Sequence, residues 1–238
     1  MISYSNNCIL RISDFDCYDR LSPSGILGLF QDISGEHAER LGIGYEDMLK
    51  KDLLWVILKT GYTVERPAVI FDRVKSETVL HRPKRASSVR DYRIYSSSGD
   101  LLVRGTTQWA VINAKTRRLS PLSGIMTQDL GEEAPPEFPE GISKLHDFEA
   151  AGSPLKVCPG FSFKDRNGHI NNARCAELAS DALNPAPDEV IKRFQIDFIH
   201  ETTADEQLCL YTLRQENTAR VKAVGADGNI RFICEFGF

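Results

Sequence analysis

The sequence predicts an α+β protein in which one small unit, a helix packed on antiparallel strands, occurs twice in tandem. Three observations point there. A helix signal followed by strand-like alternation occurs near residue 22 and again near residue 171. The Asp-Arg pair at 19–20 returns at 165–166, just ahead of the second helix signal. Between the two, residues 127–154 are acidic, contain four prolines and show little periodicity, as a connection between domains does. The expected division is therefore residues 1–126, a connection over 127–154, and residues 155–238.

In "SPSGILGLFQDISGEHAERLG", Ser22 suits an N-cap and Pro23 the first helical position. Ile26, Leu29, Phe30 and Ile33 follow at helical spacing, and Gly42 suits the stop. Alternating strand-like runs follow up to "TRRL", with "SSGD" as a hairpin turn. In the second half "ARCAELASDAL" is a short helix that Asn171 or Asn172 can cap, and strands resume on either side of the turn "GADGN".

Composition is that of an ordinary globular chain, with 42% hydrophobic and 26% charged residues among 238. A net charge of -4 argues against a general nucleic-acid binder. The six cysteines show no metal-type spacing, so reduced thiols and no metal site are expected. No apolar run approaches a membrane span and the N-terminus lacks a leader pattern, so a cytoplasmic location is expected.

The chemistry-bearing stretch is "FKDRNGHINN". In an extended segment Asp165, Asn167 and His169, two apart, would point to one side. The helix start that follows offers N–H groups and a positive dipole end to a developing oxyanion. The competing reading is an ordinary turn: Asp165 as a turn or cap residue, Asn167-Gly168 as its tip, and His169 as a surface histidine. A carboxylate, Glu201, interrupts the strand-like "QIDFIHETTADEQ" between His200 and Thr202, and alternation lets Glu201 or His200 reach the cleft but not both. The competing reading there is an exposed strand end.

"KDRNGHINN" and "IDFIHETTAD", with "DFDCYDRLSPSGILGLFQDISGEHAERLG", "VERPAVIFD" and "GTTQWAVINAKTRRL" earlier, together resemble the acyl-acyl carrier protein (ACP) thioesterase family of plants and bacteria, and a bacterial member is expected. The resemblance covers nearly the whole chain. It implies a tandem (double) hot-dog fold of two antiparallel sheets, each wrapped around a helix. It implies hydrolysis of the thioester that joins a fatty acyl chain to the phosphopantetheine arm of ACP, without metal or organic cofactor. The family's Asp-x-Asn-x-His corner falls on Asp165, Asn167 and His169, and its catalytic glutamate on Glu201. Thr202 stands where some members carry a cysteine, so a thiol mechanism has no support. Cys175 and Leu178 replace aromatic residues that often follow the corner.

Laying Asp19 on Asp165 matches Asn167 with Leu21 and His169 with Pro23, which makes the first copy non-catalytic. That copy is then free to hold the acyl tail, with Ile26, Leu29, Phe30, Ile33 and Trp55 as lining residues, against the alternative that they form core. Residues 61–120 carry a net charge of +7 in a chain of -4. This suggests docking of acidic ACP on the basic loop "HRPKR", through Arg82, Lys84 and Arg85. An acyl-coenzyme A thioesterase and a non-catalytic acyl-binding protein are the alternative functions, and the oligomeric state, including a homodimer, is open.

Overall fold

Alternation over Ile2–Ile9 forms strand β1. The computed structural model describes residues 2–84, 86–122, 125, 137–138, 142–150 and 152–238. Helix α1 runs Pro23–Arg40 and begins as its residue types require: the Ser22 hydroxyl accepts from the Gly25 N–H at 3.0 Å, and Pro23 holds the first turn. Gly42 at φ +68° provides the left-handed turn beyond its end. A short helix α2, Tyr45–Leu49, follows. Then come β2 (Leu53–Val64), β3 (Arg73–Leu80), β4 (Ser87–Tyr95), β5 (Leu101–Asn113) and the two-residue β6 (Leu119–Ser120). The second half supplies β7 (Leu155–Val157), α3 (Asn172–Leu183), β8 (Arg193–Phe198), β9 (Leu208–Arg214), β10 (Thr218–Val224) and β11 (Ile230–Gly237).

Both expected turns are present: Gly99 at φ +88° in "SSGD" and Gly228 at φ +80° in "GADGN". The strand order is β1-β3-β4-β5-β2-β8-β11-β10-β9-β7, with β6 on β5. The two helix-wrapped sheets are thus joined into one, because β2 and β8 pair antiparallel from Lys59↔Asp197 to Thr63↔Arg193. Alternation sorts the faces of β8. Phe194 and Ile196 enter a core shared with Leu27 and Phe30 of α1 and Leu178 of α3. Gln195 and Asp197 face the other way. Asp197 ion-pairs with Lys59 and accepts from the Leu145 N–H at 2.9 Å, and Gln195 donates to the Ser143 carbonyl, so part of the connecting segment lies on that outer face.

α1 presents Ile26, Phe30 and Ile33 to the sheet. The Phe30 ring stacks on Tyr92 with centroids 4.1 Å apart. It closes over Gly105, where a Cβ would lie 2.7 Å from Phe30 Cε2, so only glycine fits beneath it.

Candidate active site

The second-copy corner is a tight turn rather than an extended segment. The Asp165 carboxylate accepts from the Asn167 N–H at 2.8 Å and the His169 N–H at 3.1 Å through one oxygen. Gly168, at φ +82°, turns the chain, and Lys164 pairs with Ile170 across it. The turn itself brings the side chains together, so the expectation of alternation is replaced by an Asx-type turn. Asn171 then caps α3, its side chain accepting from the Ala173 N–H at 2.8 Å.

The first copy repeats this corner with an offset of 149, not the 146 that the shared Asp-Arg pair suggests. The short 3-10 turns Ile12–Asp14 and Phe161–Phe163, the bridges Phe15↔Leu21 and Lys164↔Ile170, and the caps Ser22 and Asn171 all match at that offset. Asp16 is therefore the partner of Asp165, and Asp19, at φ +56°, is the partner of Gly168. The expected matches, Leu21 for Asn167 and Pro23 for His169, are corrected to Tyr18 and Arg20. The backbone needs a carboxylate to open the turn and a left-handed residue three positions later, and these needs set the register rather than the Asp-Arg identity. Arg20 reaches across to the second half, donating to the Glu189 carbonyl at 3.0 Å while paired with Asp16 at 2.8 Å.

The chain after β8 runs back past the corner: Ile170 N–H donates to the Thr202 carbonyl at 2.8 Å, and His169 bridges Thr203. This brings Glu201 to His169, with Oε2 3.4 Å from Nε2. The other oxygen, Oε1, pairs with Nη2 of Arg117 from the β5–β6 turn. His200 lines the same cleft, contrary to the expectation that only one of the two would, but its Nδ1 lies 2.8 Å from the Ile230 carbonyl. Burial, helped by the Arg117 guanidinium and opposed by Asp165, lowers the His169 pKa, so the imidazole is neutral at neutral pH. The Tyr45 hydroxyl donates to Asn167 Oδ1 at 3.1 Å. Thr202 is buried against Cys175, whose thiol burial pushes up to about 12, so no thiolate is available there.

Asp165, Asn167, His169 and Glu201 all line one cleft of about 1120 Å³, which continues between α1 and the sheet along Leu54–Leu58. Of the five expected tail-lining residues, Trp55 lines it. Ile26, Leu29, Phe30 and Ile33 belong to the core under α1, because they occupy the helix stripe that meets the sheet. The cleft takes the neighbouring stripe, Ser34, Gly35 and Ala38, and it is the small residues there that leave room. Spacing alone would have found that stripe; it gives no sign of Arg117 or Tyr45, which arrive through loop geometry.

Arg82 and Lys84 are exposed on the β3–β4 loop, and Arg85 lies outside the described residues. His81 of the same loop is buried against Asp91 at 2.6 Å. Much of the basic stretch is paired: Arg66 with Asp100, Lys75 with Glu77, Arg93 with Glu137, Arg104 with Glu65 and Lys115 with Asp52. Among the described residues no group of three His, Cys, Asp or Glu side chains is placed to hold a metal ion, and no helix is long and apolar enough to cross a membrane.

The family model for the acyl-ACP thioesterase N-terminal domain matches residues 2–128. A chloroplastic acyl-[acyl-carrier-protein] hydrolase of Cuphea viscosissima is 28% identical over 235 residues, covering 94% of this chain and 53% of its own length. The oleoyl-acyl carrier protein thioesterase of Coriandrum sativum is 26% identical, covering 96% of this chain and 68% of its own. The chain thus spans about half the length of the first of these relatives and two thirds of the second. An acyl-ACP thioesterase structure from Bacteroides thetaiotaomicron superposes with a TM-score of 0.85 at 18% identity, covering 99% of this chain and 97% of that one. The 12:0-ACP thioesterase of Umbellularia californica gives 0.81 at 20%, covering 99% and 96%. These likenesses show the fold, a tandem hot-dog.

Proposed function

The chain belongs to the acyl-ACP thioesterase family, and from that premise we propose that it hydrolyses fatty acyl-ACP to free fatty acid and ACP. The observation that carries this reading is the convergence of His169 and Glu201, from separate segments, at one cleft of about 1120 Å³. Glu201 Oε2 takes a proton from water as the water oxygen attacks the thioester carbon. The carbonyl becomes an oxyanion, received by free N–H groups at the start of α3; the Ala173 N–H is already taken by the Asn171 cap. The intermediate then expels the phosphopantetheine thiolate, which is protonated through Glu201 or His169, leaving the fatty acid. Asp165 holds the turn, and Asn167 orients water or carbonyl.

In this reading the first copy houses the acyl chain, with Trp55 and the Ser34, Gly35 and Ala38 stripe as wall, and the second copy carries the chemistry. The boundaries at 126 and 154 are the proposed limits of the two units. ACP docks on the β3–β4 loop through Arg82, Lys84 and Arg85. Support for that docking comes from register: Ser87 is level with Ala110 and Val56, so the loop leaves the sheet at the end where Glu201 follows β8, three strands away, or about 14 Å. A reducing, cytoplasmic setting suits six cysteines without a disulfide among the described residues.

The test is hydrolysis of matched acyl-ACP and acyl-coenzyme A panels by wild type and Glu201→Gln. The expected result is faster, more salt-sensitive turnover of acyl-ACP, reduced about 10²- to 10⁴-fold in the variant. Equal rates and salt response on the two carriers would favour the coenzyme A reading. Binding of acyl-ACP without turnover would make the protein a binder.

A further inference from the structure

We propose that Arg117 is a positioning residue of this site: a guanidinium delivered by the first half of the chain fixes the Glu201 carboxylate, occupying Oε1 and leaving Oε2 turned toward His169. The inference rests on the hydrolase reading for its kinetic consequence and on geometry for the rest.

The turn that joins β5 to β6 holds Arg117 in a defined place. Asn113 Oδ1 accepts from the Lys115 N–H at 3.1 Å and the Thr116 N–H at 2.8 Å, and the Asn113 carbonyl accepts from the Arg117 N–H at 2.9 Å. Arg117 itself is held at φ +57°, a conformation that L residues other than Asn and Asp adopt rarely. A pair between side chains this exposed, 36% and 45%, adds little to stability. The left-handed residue closes the β5–β6 hairpin turn, and from that position its side chain meets Glu201.

The division of the two oxygens gives the pair its chemical meaning. A carboxylate on a freely rotating side chain offers either oxygen in any orientation. With Oε1 taken by Nη2, Oε2 is the acceptor left facing the imidazole, 3.4 Å from Nε2. The groups that face Glu201 are few. Arg117 approaches from the β5–β6 turn and His169 from the corner, with Asp165 behind it. His200 is turned to the Ile230 carbonyl, and Glu206, beyond Thr203, is held by Arg231. Arg117 is thus the one cation against the carboxylate among the described residues, so its removal favours the protonated acid.

Two readouts test this in the full chain, with Arg117→Gln and the conservative Arg117→Lys. In the first, kcat and KM are followed against pH on the acyl-ACP that the wild type turns over fastest. Arg117→Gln is expected to move the acid limb of kcat upward in pH, a loss of about 2- to 5-fold on that limb with KM little changed. Arg117→Lys is expected to restore most of it. The second readout needs no turnover: the His169 imidazole is titrated by NMR, assigned with His169→Gln. Its midpoint is expected to rise in Arg117→Gln and return in Arg117→Lys. A wild type inactive on every acyl thioester would refute the hydrolase reading while the titration still decides the pair. An unmoved acid limb in an active enzyme, or an unmoved midpoint in folded Arg117→Gln, overturns the proposal.

Discussion

The two corners share a backbone and the leading aspartate but differ in the side chains that follow, with Arg20 in the first where the second has His169, so substitution there should separate stability from activity. Arg20 makes a charged pair with Asp16 at 2.8 Å, donates to the Glu189 carbonyl at 3.0 Å and reaches the Pro187 carbonyl at 3.4 Å, joining the two halves. Arg20→Ala removes all three contacts. Asp16 keeps the Tyr18 and Arg20 backbone N–H groups, so no carboxylate is stranded and the cost stays at about 2–4 kcal/mol. For a chain of this size that lowers Tm by roughly 5–15 °C. Among the described residues the His169 side chain makes one long polar contact, 3.4 Å to Glu201, so His169→Ala should cost only about 1 kcal/mol. The assay pairs thermal unfolding with acyl-ACP hydrolysis at a temperature where both variants are folded. Arg20→Ala should retain wild-type kcat, and His169→Ala should lose about 10²-fold or more. An Arg20→Ala protein of unchanged stability, or a His169→Ala protein that unfolds as early as Arg20→Ala while still turning over substrate, would refute the assignment of the two copies.

Gly105→Ala places a methyl 2.7 Å from Phe30 and 2.8 Å from the Gly61 carbonyl oxygen, and Phe30 is pinned against Tyr92, so a loss of about 3 kcal/mol is expected in denaturant unfolding. His37, buried under Arg90 and Arg40, has its pKa lowered from 6.5 to about 4, first by burial and then by those two cations. The unfolded chain therefore binds a proton that the fold refuses: the fold's advantage is full above pH 6.5 and declines by up to about 3 kcal/mol as pH falls toward 4. His37→Gln, which keeps an acceptor for the Arg90 guanidinium, should flatten that part of the stability profile, and an unchanged slope would place the titrating group elsewhere.

Much of the fold was legible because local rules and tertiary structure agree. Ser22, Pro23 and Gly42 bracket α1 as their chemistry requires, and the two Gly-containing hairpins fall where alternation breaks. The tandem repeat was legible too, but its register was not. Residue identity aligns Asp19 with Asp165, whereas the turn aligns Asp19 with Gly168, since both adopt positive φ. A one-letter match carries no dihedral angle. The same limit applies to the cleft: helical spacing marks Ile26, Phe30 and Ile33 as an inward stripe without saying whether a sheet or a void lies opposite. The sheet does, at Tyr62 and Tyr92. Glu201 and His169 were legible as separate oddities; their meeting depends on the bridge between His169 and Thr203, which no periodicity encodes.

The seam gives each copy a structural role although only one carries the proposed reacting groups. If the halves separated, β2 and β8 would each become an open edge with unpaired N–H and C=O groups, and the Tyr62–Phe194 contact, centroids 5.4 Å apart, would open to water. Each half is therefore the other's edge protection. The same pairing fixes the site, since the segment that follows β8 beyond Asp197 runs toward the end of the sheet where β5 turns. Glu201 and His169 from one half thus meet Arg117, Tyr45 and Trp55 from the other at a single cleft. Divergence of the first corner into a structural clamp through Arg20 is compatible with this arrangement only because the second corner kept the carboxylate-led turn. The turn aims His169, and the seam brings the partners that make it useful.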